Sequence, residues 1–161
     1  MLKVENISTG YGKKQVLFDI SFEVKAGEIV LLAGSNGSGK STLLKAIYGL
    51  LPQCNNGEII FDGENITGKA TAELLKKGLL YIPQKNNLFE DLTVKENIEM
   101  AGLTLDHRTL QKQIENVLSI FTTLVPHLYR TPMKLSGGER QLLTLAMATL
   151  HKPKMILLDE P

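Results

Sequence analysis

The chain has 161 residues, enough for about one domain with a sizeable core, and an ordinary globular makeup, 43% hydrophobic and 22% charged. With 18 basic against 17 acidic residues the formal net charge is +1, so no global charge argues for a nucleic acid or an anionic membrane surface as partner. The single cysteine, Cys54, excludes an internal disulfide and suits a reducing compartment. No run reaches the ~18 apolar residues that cross a bilayer, and Met1-Leu2-Lys3-Val4-Glu5 lacks the layout of a signal peptide. A membrane role would need transmembrane helices from another chain.

Residues 2–7 and 16–24 alternate apolar with polar and predict half-buried strands, with Gly10-Tyr11-Gly12 as the turn between them. After a turn at Ala26-Gly27, Ile29 to Ala33 is a short continuous apolar run, the pattern of a strand buried on both faces. A Gly/Ser-rich loop follows, then a helix from about Lys40 to Gly49, a loop over 52–57 and a strand over 58–61. Thr71 to Lys77 predicts a short helix and Leu79 to Ile82 another buried strand, ended by Pro83. From Lys85 the character turns helical. Thr93 with Glu96 is a capping box for a helix to about Met100, and Asp106 caps a second helix to about Leu124. Pro126 and Pro132 bracket an irregular stretch. Ser136 with Glu139 is a second capping box, for a helix ending near Leu150, and Met155 to Leu158 is a third buried strand. Buried strands alternating with helices imply an α/β domain with a mostly parallel sheet, an antiparallel β region in front and a helical insertion over roughly 85–135.

Gly34-Ser35-Asn36-Gly37-Ser38-Gly39-Lys40-Ser41 satisfies the phosphate-loop pattern in full, between a predicted strand and a predicted helix. Its glycines let the backbone wrap phosphate oxygens, and the helix N-terminus adds positive partial charge. Lys40 is expected to reach the β- and γ-phosphates and Ser41 to ligate Mg²⁺, with Thr42 following as a further nucleotide contact. The bland alternative is a plain strand-to-helix loop with a surface lysine. Met155-Ile156-Leu157-Leu158-Asp159-Glu160 is an apolar strand ending in paired carboxylates. Paired with a phosphate loop, Asp159 would hold Mg²⁺ and Glu160 would polarise the attacking water as general base. On its own this run could also be a strand capped by two solvated acids.

Leu135-Ser136-Gly137-Gly138-Glu139-Arg140-Gln141 discriminates most. The capping box explains Ser136 and Glu139, but two glycines in the first helical positions cost helix stability. They make sense where a large anion approaches the backbone, so Ser136, Gly137 and Gly138 predict a second phosphate contact. This stretch resembles the signature sequence of ABC ATPases, and the phosphate loop, signature and LLDEP end stand in that family's order. The resemblance implies a P-loop NTPase core binding ATP and Mg²⁺, a head-to-tail dimer with a second ATP-binding subunit, and a signature that closes on the partner's ATP.

The same resemblance gives readings to minor elements. Tyr11 matches the aromatic that stacks on adenine, against the alternative of a turn tyrosine packing on its hairpin. Gln84 matches the glutamine that senses Mg²⁺ or the γ-phosphate and opens the helical subdomain, a catalytic and metal-contacting role. Residues 85–99 would form the groove for a transmembrane permease, with Leu88 and Phe89 as candidate contacts or as core. His107, His127 and His151 match no catalytic position.

The stretch from Gln84 to Ser136 is too short for the long coiled coil of chromosome-maintenance and repair ATPases, which favours a transporter subunit. The opening thirty residues and LFEDLTVKENIEMAG are similar to ATP-binding subunits of branched-chain amino-acid importers, and to a lesser degree to lipopolysaccharide-export ATPases; the importer subunits often carry Glu where this chain has Gln84. The expectation is a single incomplete ABC domain over 1–161, with 1–84 and 136–161 as core and 85–135 as helical subdomain. It would power solute transport from the inner face of the cell membrane, with no nucleic-acid partner. The alternative is a soluble ABC ATPase of translation or DNA metabolism. The family's switch histidine follows the LLDEP end, so these residues alone are expected to turn over ATP poorly.

Overall fold

A computed structural model describes residues 1–52, 57–85 and 87–159. The chain divides into two units, Met1–Tyr81 and Ile82–Pro161. The first begins with two long antiparallel strands, β1 (Leu2–Tyr11) and β2 (Lys14–Val24). Both run further than their alternation predicts. Gly10 and Tyr11 are the end of β1, paired with Gln15 and Lys14, and only Gly12 and Lys13 make the turn. The register shifts at several points between Val4 and Gly10. Side chains hold these irregularities. Asn6 (φ 49°) donates its N–H to Ser21 Oγ at 2.8 Å and accepts from that hydroxyl at 3.1 Å. Asp19 (φ 48°) donates to Ser8 Oγ at 2.9 Å and accepts from it at 3.1 Å. Asn and Asp tolerate left-handed backbone better than other residues with a Cβ, so these positions suit them.

The expected strand at 29–33 does not form. The chain turns tightly at Lys25–Glu28, where Lys25 N–H meets Glu28 Oε2 at 2.7 Å. Ile29, Val30 and Leu31 then emerge exposed, Ile29 completely. An apolar run supplies β propensity, but a strand exists only where a neighbour completes its ladder, and no described strand pairs with this run.

After the glycine-rich loop comes α1 (Lys40–Ile47), which packs against β1 and β2 through buried Leu43, Leu44, Ala46 and Ile47. It stops short of the predicted end because Gly49 (φ 71°) closes it. Gly49 N–H donates to Ala46 O and Leu50 N–H to Lys45 O, the paired bonds of a Schellman cap. A Cβ there would meet Lys69 O at 2.5 Å. Next come β3 (Glu58–Phe61), antiparallel to β1, and the two-residue β4 (Glu64–Asn65), giving a sheet of order β2-β1-β3-β4. Leu2, Val4, Ile7, Leu17, Val24, Ile59 and Phe61 are among its buried side chains. Then follow α2 (Thr71–Lys76) and β5 (Leu79–Ile82), as predicted. Tyr48, at the end of α1, and Tyr81, on β5, bring their rings to 5.7 Å between centroids. Glu64 pairs with both Lys69 and Lys77, and these hydrogen bonds pull its carboxyl from an ordinary 4.5 to about 2.

In the second unit Lys85 and residues 87–92 are loop rather than helix, and at Thr93 the predicted capping box opens α3 (Val94–Ala101). Asp106 caps α4 (His107–Ile120), and two 3₁₀ turns, Thr122–His127 and Pro132–Lys134, fill the irregular stretch around the prolines. The second capping box opens α5 (Gly137–Thr149), and β6 (Met155–Leu158) follows. The core gathers Val94, Ile98, Ile114, Val117, Leu124, Leu143 and Leu150. Asp159 N–H donates to Ile82 O at 3.1 Å, which sets the end of β6 beside the end of β5. No helix among the described residues is long and apolar enough to cross a membrane.

Candidate functional site

The predicted site residues fall in both units, and each half has its own geometry. In the first, Gly39 is the N-cap of α1 in left-handed conformation (φ 97°), with no side chain capping the helix. Any Cβ at Gly39 would also meet Leu17 Cδ2 at 2.8 Å, so both backbone and space require glycine. Ser38 N–H closes the loop onto Ser35 O at 3.1 Å, and Gly34 leaves room for the Ser38 hydroxyl that a Cβ would meet at 2.6 Å. Lys40 folds back over this loop, its Nζ donating to Gly34 O at 3.0 Å and Ser35 O at 3.2 Å. Asn36 and Gly37 are exposed on the loop, Ser41 is half-buried in the first turn of α1, and Thr42 is buried. A glycine-shaped concavity at an uncapped helix start, with one ammonium over it, is the chemistry of phosphate binding. Tyr11 ends β1 about half exposed, with its ring available to a flat partner.

In the second unit a cleft of about 650 Å³ is lined by Gln84, Leu88, Gly137, Arg140 and Asp159 among others. It brings together the residue after the strand β5, the first residue of α5 and the carboxylate after β6, which the sequence keeps far apart. Asp159 is 4% exposed. Among the described residues no group of three or more His, Cys, Asp or Glu side chains could hold a metal by itself. The carboxylate of Asp159 and the amide oxygen of Gln84, which line one cleft, are donors that suit Mg²⁺, which keeps waters and phosphate oxygens among its ligands. Glu160, assigned as general base, and Cys54 lie outside the described residues.

The signature end of α5 is built tightly. Ser136 N–H donates to Glu139 Oε2 at 2.7 Å, and Glu139 N–H donates to Ser136 Oγ at 3.3 Å. These bonds, led by the Ser136 backbone, lower the Glu139 carboxyl below the usual range. Between the capped residues stand Gly137 and Gly138, where a Cβ would meet nothing within 4 Å. Crowding within the chain therefore does not call for these glycines, and their backbone faces open space.

Three supports of the site were not legible in the motifs. His127 Nε2 lies 3.0 Å from Glu139 Oε1, while its Nδ1 is buried with no partner. Since an ionised carboxylate only accepts, Nε2 carries the proton in this contact. Arg140 forks onto Glu90. Asn97, fully buried, accepts Phe89 N–H at 2.8 Å and donates to Phe89 O, Leu92 O and Thr93 O. Asn97 sits among the apolar positions of α3, so an apolar-face reading passes over it. Phe89 itself is half exposed, and Leu88 packs against the helical core.

Comparison with known proteins agrees with this geometry. The family model described as ABC transporter matches residues 17–161. The chain is 42% identical over its whole length to the high-affinity branched-chain amino acid transport ATP-binding protein BraG of Pseudomonas aeruginosa, of which it covers 69%. It is 38% identical to the probable branched-chain amino acid transport ATP-binding protein LivF of Archaeoglobus fulgidus, covering 68% of it. It is 40% identical to the molybdate/tungstate import ATP-binding protein WtpC of Pyrococcus horikoshii, covering 46%. Among solved structures, a nucleotide-free ATP-binding cassette from an ABC transporter superposes with a TM-score of 0.85 at 29% identity, over 98% of this chain and 67% of that one. A dimeric post-hydrolysis cassette bound to ADP and Pi gives a TM-score of 0.80 at 27% identity, over 98% and 73%. The chain is thus an α/β ATP-binding cassette, and it belongs to the ABC transporter family as an ABC-type ATPase domain.

Proposed function

We propose that this chain is the ATP-binding subunit of a membrane importer and that the solute carried is an amino acid. The observation that carries the site reading is the cleft that draws Gln84, Gly137 and Asp159 together from distant parts of the sequence. The relatives named for branched-chain amino acid transport are covered over 69% and 68% of their own length, which supports the solute, while the molybdate/tungstate relative, covered over 46%, supports import alone. In this reading ATP stacks its adenine on Tyr11. Its phosphates lie in the loop from Gly34 to Ser41, ahead of Thr42, and Lys40 exchanges the Gly34 and Ser35 carbonyls for phosphate oxygens. Ser41, Gln84 and Asp159 supply oxygens to Mg²⁺, which when bound with ATP neutralises phosphate charge. Gln84 also orients the attacking water, and Glu160 takes its proton. Ser136, Gly137 and Gly138 meet the γ-phosphate of the ATP held by a second subunit, head to tail. Residues 85–135 act as the subdomain that docks, through Phe89 and its neighbours, on a permease at the cytoplasmic face of the cell membrane.

The test is a titration with a fluorescent ATP analogue, paired with light scattering. Lys40→Ala should weaken binding, and Ser136→Arg in a Glu160→Gln background should abolish ATP-driven dimerisation. Dimerisation that survives Ser136→Arg would sink the head-to-tail reading. Uptake of leucine against molybdate, in vesicles carrying the permease, decides the solute.

A further inference from the structure

The cleft of the second unit has two sides. One is formed by residues 83–85 and 87–92, carrying Gln84, and the other is the first turn of α5, carrying the signature glycines. One side-chain pair joins them across 50 positions of sequence: Arg140 Nη1 donates to Glu90 Oε2 at 3.1 Å, and Nη2 donates to Glu90 Oε1. Exposed ion pairs of mobile side chains contribute little. Here both ends are already held. The backbone of Phe89, next to Glu90, has its N–H and carbonyl bound to the buried Asn97 amide, and Arg140 Nη1 also donates to Pro132 O at 3.2 Å. A two-point guanidinium–carboxylate fork fixes orientation as well as distance. Both side chains line the cleft that holds Gln84, Gly137 and Asp159.

We propose that Glu90 and Arg140 form a positioning pair that locks the Gln84 loop to the signature end of α5, so that the two sides of the cleft shift as one body. The inference rests on the proposed function, in which Gln84 serves this chain's own ATP and the signature end of α5 serves the ATP of a second subunit. Neither residue touches the reacting atoms. They act through Gln84 and through the Gly137 and Gly138 amides. Pairing also cancels the charges of Glu90 and Arg140 where they line the cleft.

Amide hydrogen exchange on the chain tests this. Glu90→Ala and Arg140→Ala should each raise exchange about five- to tenfold on both sides of the cleft, at residues 87–92 and 137–142, and leave α4 unchanged. The charge swap, Glu90→Arg with Arg140→Glu, should return both to within about twofold of the parent. Arg140→Lys keeps the charge, loses the fork and should fall between. ATP turnover should follow, with kcat lowered about fivefold in the single variants, KM unchanged and the swap recovering. A rise confined to one side, or a swap no better than the single variants, overturns the proposal. Nucleotide binding indifferent to Lys40→Ala would instead overturn the reading of the site, whatever the exchange pattern.

Discussion

Two helices of this chain start on glycine, and they start differently. At α1 the N-cap is Gly39, left-handed and without a capping side chain, and Leu17 lies where a Cβ would go. At α5 a complete capping box precedes and follows the glycines, and space around Gly137 and Gly138 is open. The difference separates two ways to build an anion site. The first removes the protein's own cap and wraps a loop around the ligand. The second caps the N-cap and third-residue amides internally, so that the two amides between them, both on glycine, are the ones presented outward. A wrapped site suits a ligand the chain holds itself. An open one suits a ligand brought up by another molecule.

Substitutions can break or sharpen that contrast. The largest effect should be at the wrapped end: Lys40→Ala should weaken ATP-analogue binding at least about tenfold in a fluorescence titration, since a charge-assisted contact to phosphate disappears. Next, the same change at the two glycine starts should move stability in opposite directions. Gly39→Ala forces a left-handed alanine against Leu17 and should cost about 1–3 kcal/mol by denaturant titration. Gly137→Ala meets nothing and should stabilise by up to ~1 kcal/mol, yet weaken ATP-driven dimerisation. If Gly137→Ala also lowered stability, the open-face reading of α5 would fail. Ser136→Ala should cost about 1 kcal/mol through the lost cap, a penalty that no side chain at Gly39 can incur.

The smallest effect lies away from both helix starts. The folded state holds the Glu64 carboxyl at about 2 rather than 4.5. Its contribution is therefore complete above about pH 4.5, fades as pH falls, and is gone below about pH 2. Glu64→Gln should lower stability slightly at neutral pH, where that contribution is complete, and flatten the acid limb, so that the two stability profiles converge towards about pH 2. Because the side chain is exposed, salt should shrink the difference.

Local chemistry was the most legible part of the sequence. All three side-chain helix caps, Thr93, Asp106 and Ser136, stand where the residue pattern places them, because a cap is settled within four residues. Strands that depend on distant partners were less so. Residues 29–33 have the composition of a buried strand, yet Ile29, Val30 and Leu31 lie exposed, while Gly10 and Tyr11 look like a turn and are paired. The phosphate loop and the signature are contiguous motifs and could be read directly. Asn97, His127 and the Glu90–Arg140 fork could not, since each works through a partner brought near only by folding.

The unpaired run Ile29-Val30-Leu31 has a colloidal consequence. It presents three adjacent large apolar side chains to solvent on a chain whose formal net charge is only +1. Near neutral pH there is little long-range repulsion to keep copies apart while such a patch encounters its like. Concentration, more than heat, should therefore set the limit on keeping this chain dispersed. A single lysine at Val30 should raise that limit without touching either anion site, and static light scattering over a concentration series would measure it.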